Sequence, residues 1–230
     1  MMLYDAKKEQ TKHILAQSGI AYPSEYVIRI FKGSYPRLSL DKEALRGKRI
    51  CDVGCGDGRN MVLLQECGFE VYGVEISEEI VRKVRENLKD FGVRASNIKV
   101  GTNDKIPFED CYFDYLLSWN ACYYMGDKRD FQDYVKEFAR VTRKDGYLIL
   151  SIPKKTCFIF RGSDPVKAGY QIIRNDPWGV RNGEVLRMFD DELEIEETFG
   201  KYFKDFVHGS VEDDCFGYAY HWFLVVCRRR

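Results

Sequence analysis

The sequence predicts an α/β fold built on a mostly parallel sheet. From Gly47 onward, short apolar runs alternate with amphipathic stretches, the pattern of strands joined by crossover helices, and the first run ends in a glycine loop that opens a helix. The 230 residues are 45% hydrophobic and 31% charged, with no repeat and no Gly/Ser-rich or Pro-rich tract, so one domain spanning 1–230 is expected.

Before Gly47 the spacing is helical. A helix is expected from about Asp5 to Ser18, and a second restarts at Pro23 and Ser24, so residues 1–45 read as a helical cap. Residues 46–152 follow as alternating strands and helices. The first strand is Arg49-Ile50-Cys51-Asp52-Val53, then comes the loop Gly54-Cys55-Gly56-Asp57-Gly58 and a helix carrying Met61, Val62, Leu63 and Leu64. Val71 to Val74 forms the second strand, stopped by Glu75. The next helix opens at Ser77 with Glu78 and Glu79 where negative charge suits the helix dipole, and its apolar face is Ile80, Val81, Val84, Leu88 and Phe91. A short third strand runs from about Ile98 to Gly101, the fourth from Phe113 to Trp119. A helix from about Lys128 to Val141 leads through Lys144-Asp145-Gly146 into the fifth, Tyr147 to Ile152.

Residues 153–188 read as an irregular insertion, because three prolines and four glycines interrupt Pro153 to Met188 and the stretch is too long for a simple connection. The remainder, 189–230, holds a helix from Asp190 to Phe199 and two strands, about Tyr202 to Val207 and Tyr220 to Cys227.

Charge and composition exclude several functions. Thirty-six basic residues balance thirty-six acidic ones, so no global field draws the chain to nucleic acid or to an anionic membrane. The longest apolar runs fall far short of a membrane span, and the first residues lack the apolar core of a secretory signal; a cytoplasmic protein is expected. Eight cysteines without a Cys-x-x-Cys pair, beside only His13, His208 and His221, argue for reduced, packed thiols and for no metal site.

A glycine loop between a first strand and its helix lies at the carboxyl edge of the sheet, where open α/β sheets bind ligands. Counting from Gly54, the sixth position is Arg59 and not glycine, so the dinucleotide fingerprint fails; Gly-Arg-Asn stands where a P-loop needs Gly-Lys-Ser/Thr. What fits is Cys51-Asp52-Val53-Gly54-Cys55-Gly56-Asp57-Gly58 followed by Glu75 at the end of the second strand. This combination resembles the class I S-adenosylmethionine-dependent methyltransferases over about Lys48 to Ser151.

The resemblance implies a Rossmann-like sheet with a reversed last strand and makes 46–152 its cofactor-binding half, with the insertion read above lying after the fifth strand. It also implies S-adenosylmethionine as cofactor, released as S-adenosylhomocysteine. Cofactor contacts would come from Asp52, Gly54, Cys55, Gly56, Arg59 and Asn60, from Glu75 and Ile76, and from Thr102, Asn103, Asp104 and Ser118. A carboxylate such as Glu75 can accept from two vicinal hydroxyls. Gly101-Thr102-Asn103-Asp104-Lys105-Ile106-Pro107-Phe108 is similar to the segment that frames the adenine, although Thr102 stands where the family usually has Asp.

The acceptor is expected on the far side of the same edge. Trp119, Asn120, Tyr123 and Tyr124 follow the fourth strand directly. Ser118-Trp119-Asn120-Ala121 departs from the Asn/Asp-Pro-Pro-Tyr/Phe motif of nucleic-acid and glutamine methyltransferases, which leaves a small-molecule acceptor and no nucleic-acid or membrane partner. His208, and His221 on a reversed last strand, are the expected general bases. From Lys154 to Arg187 seven basic residues (Lys154, Lys155, Arg161, Lys167, Arg174, Arg181, Arg187) outnumber three acidic ones (Asp164, Asp176, Glu184). Arg161, Arg174 and Arg181 with Trp178 are therefore expected to receive an anionic metabolite such as a nucleotide sugar. A protein or lipid-linked acceptor, and a non-catalytic regulatory subunit, remain open alternatives; a patch of exposed aromatic side chains beside Trp178 would favour the former.

Overall fold

The computed structural model of the chain describes residues 6–16, 19–126 and 130–230. Two helices, α1 (Ala6–Ala16) and α2 (Glu25–Lys32), precede the sheet. Val27, Ile30 and Phe31 place one buried stripe on α2, and Phe31 meets Phe69 edge to face at 5.5 Å between ring centroids. The last carbonyls of α1, at Ile14 and Leu15, accept from Lys83 Nζ at 2.8 and 2.9 Å, which satisfies groups that a helix end leaves unpaired.

The alternation that follows is β1 (Arg49–Val53), α3 (Arg59–Glu66), β2 (Glu70–Glu75), α4 (Glu78–Asn87), β3 (Ile98–Val100) and β4 (Phe113–Ser118). Next come β5 (Tyr124–Met125), α5 (Phe131–Val141), β6 (Thr142–Pro153), β7 (Asp164–Lys167), β8 (Tyr170–Ile172), β9 (Val185–Arg187), α6 (Glu192–Phe199), β10 (Phe203–Cys215) and β11 (Tyr218–Arg229). The main sheet has the order β3-β2-β1-β4-β6-β11-β10. Neighbours from β3 to β6 are parallel, and β11 runs antiparallel to both β6 and β10. Alternation along the strands divides the core between two faces: Cys51, Val53 and Leu116 pack on one side, Ile50, Tyr115 and Leu117 on the other. The chain leaves β1 toward β2 and returns on its other side as β4, so the sheet has its switch point between β1 and β4.

The reversed strand follows from a local turn. Phe216 and Gly217 both take positive φ, 53° and 91°, the two-residue turn whose twist matches a hairpin, so β10 folds straight back as β11 into the place beside β6. Both strands are longer than the sequence suggests. Trp222 pairs with Pro153 at the end of β6, so the tip of the hairpin projects past the carboxyl edge.

Three expectations are corrected. The insertion is ordered: β7, β8 and β9 form an antiparallel sheet in the order β5-β9-β8-β7, completed by β5 from the loop after β4. Phe91 does not extend the face of α4, because the helix stops at Asn87 and Phe91 is exposed in the turn beyond. The helix expected from Lys128 begins at Phe131, where Asp130 caps Gln132 N at 3.1 Å; Lys128 lies outside the described residues, as do Asp5 and Ser18 at the expected ends of α1. No helix among the described residues is long and apolar enough to cross a membrane.

Candidate active site

A cleft of about 1570 Å³ opens at the carboxyl edge of the sheet, over the switch point. Its volume exceeds the roughly 300–1000 Å³ of a site for one small ligand, which leaves room for a cofactor and an acceptor side by side.

The glycine loop forms its floor. Gly54 has φ 75°, and a Cβ there would stand 2.5 Å from Ala121 Cβ; at Gly56, φ 61°, a Cβ would point into open space. The first glycine is therefore required by packing and backbone, the second by backbone alone. Gly54 N donates to Val74 O at 2.8 Å, and Gly56 N donates to Glu75 Oε1 at 2.8 Å, so the loop is pinned to the end of β2. Glu75 is buried and its Oε2 accepts from Ile76 N at 2.9 Å. Burial pushes its pKa up, against the two amides that favour the charged form. Each oxygen retains a lone pair for a further donor.

Asp52 lies beneath the loop, fully buried, and neither of its oxygens has a hydrogen-bond partner among the described residues. Burial, and next repulsion from Glu75, raise its pKa to about 8. Asp57 joins loop to cap: its Oδ2 accepts from Ala21 N at 3.0 Å, its Oδ1 from Arg59 Nε at 2.9 Å. Asn60 Oδ1 accepts from Ser24 N at 3.0 Å, and Ser24 and Ile14 form part of the cleft wall. Across the floor, Thr102 and Lys105 exchange backbone hydrogen bonds in a tight turn, and Asn103 Nδ2 donates to Ala121 O at 3.1 Å.

The other half of the cleft lies over the small sheet. Trp119 and Asn120 leave β4, and Tyr124 stands on β5 with its hydroxyl accepting from Arg181 Nε at 2.9 Å. Arg181 Nη1 donates to Asp176 Oδ1 at 2.6 Å; the Asp176 side chain is fully buried and its Oδ2 accepts from Val180 N at 3.0 Å. Tyr134, Tyr170, Lys167 and Glu184 complete this wall. Among the described residues no group of three His, Cys, Asp or Glu side chains is placed to hold a metal ion.

Residues 51–150 match the family described as a methyltransferase domain. A demethylmenaquinone methyltransferase of Geobacillus kaustophilus is 30% identical over 120 residues, which cover 50% of this chain and 50% of the relative. Over this central part the chain is similar to known methyltransferases. Solved structures share the fold. An S-adenosylmethionine-dependent methyltransferase of Methanosarcina mazei superposes with TM-score 0.64 at 20% identity, over 85% of this chain and 97% of that one. The N-methyltransferase NodS of Bradyrhizobium japonicum, in complex with S-adenosylhomocysteine, gives TM-score 0.65 at 11% identity, over 98% and 99%. The chain spans about half or less of the length of most of the curated relatives it matches, and 67% of one.

In this chain, Gly54, Cys55, Gly56, Arg59, Asn60, Glu75, Ile76, Thr102, Asn103 and Asp104 line one half of the cleft, and Trp119, Asn120, Tyr124 and Arg181 the other. Asp52 and Ser118 are fully buried below it, with Ser118 Oγ donating to Val53 O at 3.4 Å. Tyr123 stands behind Tyr124, fully buried and stacked on it at 4.9 Å.

The histidines are not brought to the cleft. His208 sits on β10, the outermost strand, three positions from β4, where Nε2 pairs with Glu196 Oε1 at 2.9 Å and the ring stacks on Phe206. His221 lies opposite Glu212 on the hairpin, with Nδ1 at 2.8 Å from Thr156 Oγ1. Both are displaced because the hairpin puts β11 and β10 beyond β6.

The arginines do not converge either. Arg174 pairs with Asp164 at 2.7 Å in the open, Arg187 with Glu194 at 2.6 Å, and Arg161 is exposed; of these arginines only Arg181 lines the cleft, tied to Asp176. Trp178 is 49% exposed and packs with Phe158 and Tyr218 outside the cleft. Sequence reasoning missed Ser24, Asp57, Tyr134, Lys167, Tyr170 and Glu184 as lining residues. The turn signal Ala168-Gly169, with Gly169 at φ 73°, could have revealed the hairpin that carries Lys167 and Tyr170.

Proposed function

We propose that this protein is a methyltransferase, which holds S-adenosylmethionine over its glycine loop and transfers the methyl group to a small-molecule acceptor seated against the second sheet. The observation that carries the reading is Glu75, a buried carboxylate at the end of β2 that fixes Gly56 and faces a cleft with room for two ligands. When bound, the cofactor supplies an electrophilic methyl group, whose bonding pair returns to sulfur as the acceptor's lone pair attacks.

The chain's own residues bind and align. Glu75 accepts from the two ribose hydroxyls, and the turn at Thr102, Asn103 and Asp104 borders the adenine. Asp52, buried without a partner beneath the loop, supplies negative charge near a cationic ligand when ionised. Trp119, Asn120, Tyr124 and Arg181 shape the acceptor side, and alignment of attacking atom and methyl supplies much of the rate. His208 and His221 take no part. An acceptor with a single polar oxygen suits this wall better than a multiply charged nucleotide sugar, since Arg181 is its one arginine near the second sheet and already faces Asp176. The eight free cysteines, five of them buried, fit the reducing cytoplasm.

A second reading is a lipid-linked acceptor. The exposed aromatic cluster of Trp178, Tyr218 and the fully exposed Phe216 at the hairpin tip favours it, and Trp178 stands beside Arg181 at the cleft. A matched relative is named for demethylmenaquinone. Calorimetric titration with S-adenosylmethionine tests the first reading, with saturable binding expected; no binding by folded protein overturns it. Sedimentation with phosphatidylcholine vesicles, with and without Trp178→Ala, decides the second.

A further inference from the structure

We infer that the Tyr124 hydroxyl, set by Arg181 and Asp176, is the anchor for an acidic oxygen of the acceptor, which makes the acceptor a phenol or an enol. The inference rests on the proposed methyltransferase reading and specifies its substrate class.

The direction of the hydrogen bonds carries the argument. Arg181 Nε donates to the Tyr124 oxygen at 2.9 Å, so the tyrosine is an acceptor there and keeps its own proton to give. No acceptor for that proton is found among the described residues, and Tyr124 lines the cleft. A hydroxyl that accepts from a guanidinium is polarised and becomes a stronger donor, the more so in a partly buried site.

The guanidinium cannot turn away to serve a ligand by itself. Asp176, fully buried, takes Nη1 at 2.6 Å while accepting from the backbone N–H groups of Val180 and Arg181 at 3.0 and 3.4 Å. Behind Tyr124, the ring of Tyr123 stacks at 4.9 Å and fixes the plane of the phenol. The wall thus offers one directed proton from a locally neutral group.

The other charges near this hydroxyl select against strong anions. Glu184 faces it from the loop before β9, and Asp130 lines the same half of the cleft; Lys167, over the Tyr170 ring at 4.1 Å, is the further cation there. A phosphate beside Tyr124 would come near the negative charge that Glu184 and Asp176 already place there. A phenol or enol oxygen needs one strong donor, and it becomes more basic in its hydrogen bonding as its own proton leaves.

The test uses 4-nitrophenol as probe, whose ionised form absorbs visible light, with full-length protein saturated with S-adenosylhomocysteine. Saturable binding should lower the probe's apparent pKa by about one unit, a tenfold shift toward phenolate at fixed pH below its free pKa. Tyr124→Phe should return the bound probe to its free pKa. Arg181→Lys, acting on the positioning residue, should keep binding and lose part of the spectral shift. No saturable binding, an unshifted pKa, or a full shift in Tyr124→Phe overturns the proposal. Failure to bind S-adenosylhomocysteine, read separately by calorimetry, overturns the methyltransferase reading beneath it.

Discussion

Asn120 and Ser151 hold each other across the ends of two neighbouring strands: Asn120 N donates to Ser151 Oγ at 2.8 Å, and Ser151 Oγ donates to Asn120 Oδ1 at 2.9 Å. Asn120 has φ 57°, a left-handed backbone that asparagine tolerates better than most residues, in the turn between β4 and the acceptor wall. Ser151→Ala removes both bonds and should cost about 1–3 kcal/mol of stability. A melting temperature equal to wild type would show that the turn holds itself. Asn120→Gly, which relieves the backbone and loses one bond, should be the milder change.

Glu75→Ala should weaken S-adenosylmethionine binding by about 2–4 kcal/mol, because it leaves hydroxyl donors unmatched and frees Gly56 N as well. Glu75→Gln, which can still accept at one oxygen, should fall between the two. Unchanged affinity of a folded Glu75→Ala protein in calorimetry would take this residue out of the site.

Asp52 predicts how the ligand-free protein responds to pH. Its pKa in the folded chain is about 8, against about 3.9 for an unfolded chain, so the folded state binds the proton more tightly. The contribution is complete below about pH 4 and is lost as pH rises toward 8; stability should decline over that window. Glu75, also raised, acts in the same direction. Thermal melts from acid to mildly alkaline pH should fall less steeply in Asp52→Asn, and an identical slope would refute the assignment.

Arg181→Ala should raise the acceptor KM by about tenfold or more with cofactor affinity retained. Arg174→Ala should leave KM unchanged, since its exposed pair with Asp164 lies outside the cleft. His208→Asn should likewise turn over at near the wild-type rate. A hundredfold loss there would restore the histidine as a base and require the hairpin to move.

The cofactor half was legible because its residues are local to one another. The strand Arg49–Val53, the loop and Glu75 are joined by backbone bonds that any β-loop-α unit with those glycines would make. The half over the second sheet was legible only in part: Trp119, Asn120, Tyr124 and Arg181 line it, but its strands did not show in the sequence. β5 is two residues long, too short for periodicity to register, and its partner β9 lies sixty residues later. Counting basic residues in the insertion overstated the free charge, because Asp176 and Asp164 each consume an arginine within ten or so positions and Glu194 beyond the insertion consumes Arg187. The histidines were misplaced for a different reason: residue type fixes chemistry, while distance from the cleft depends on strand order.

The second sheet draws its strands from two places in the chain, β5 from the stretch after β4 and β7 to β9 from the insertion. Grafting 153–188 alone onto another protein of this fold would leave β9 without its edge neighbour and Arg181 without Tyr124. A working chimaera has to carry residues 119–126 together with 153–188, so these two segments form one unit of transplantation although more than two dozen residues, including all of α5, separate them in the chain.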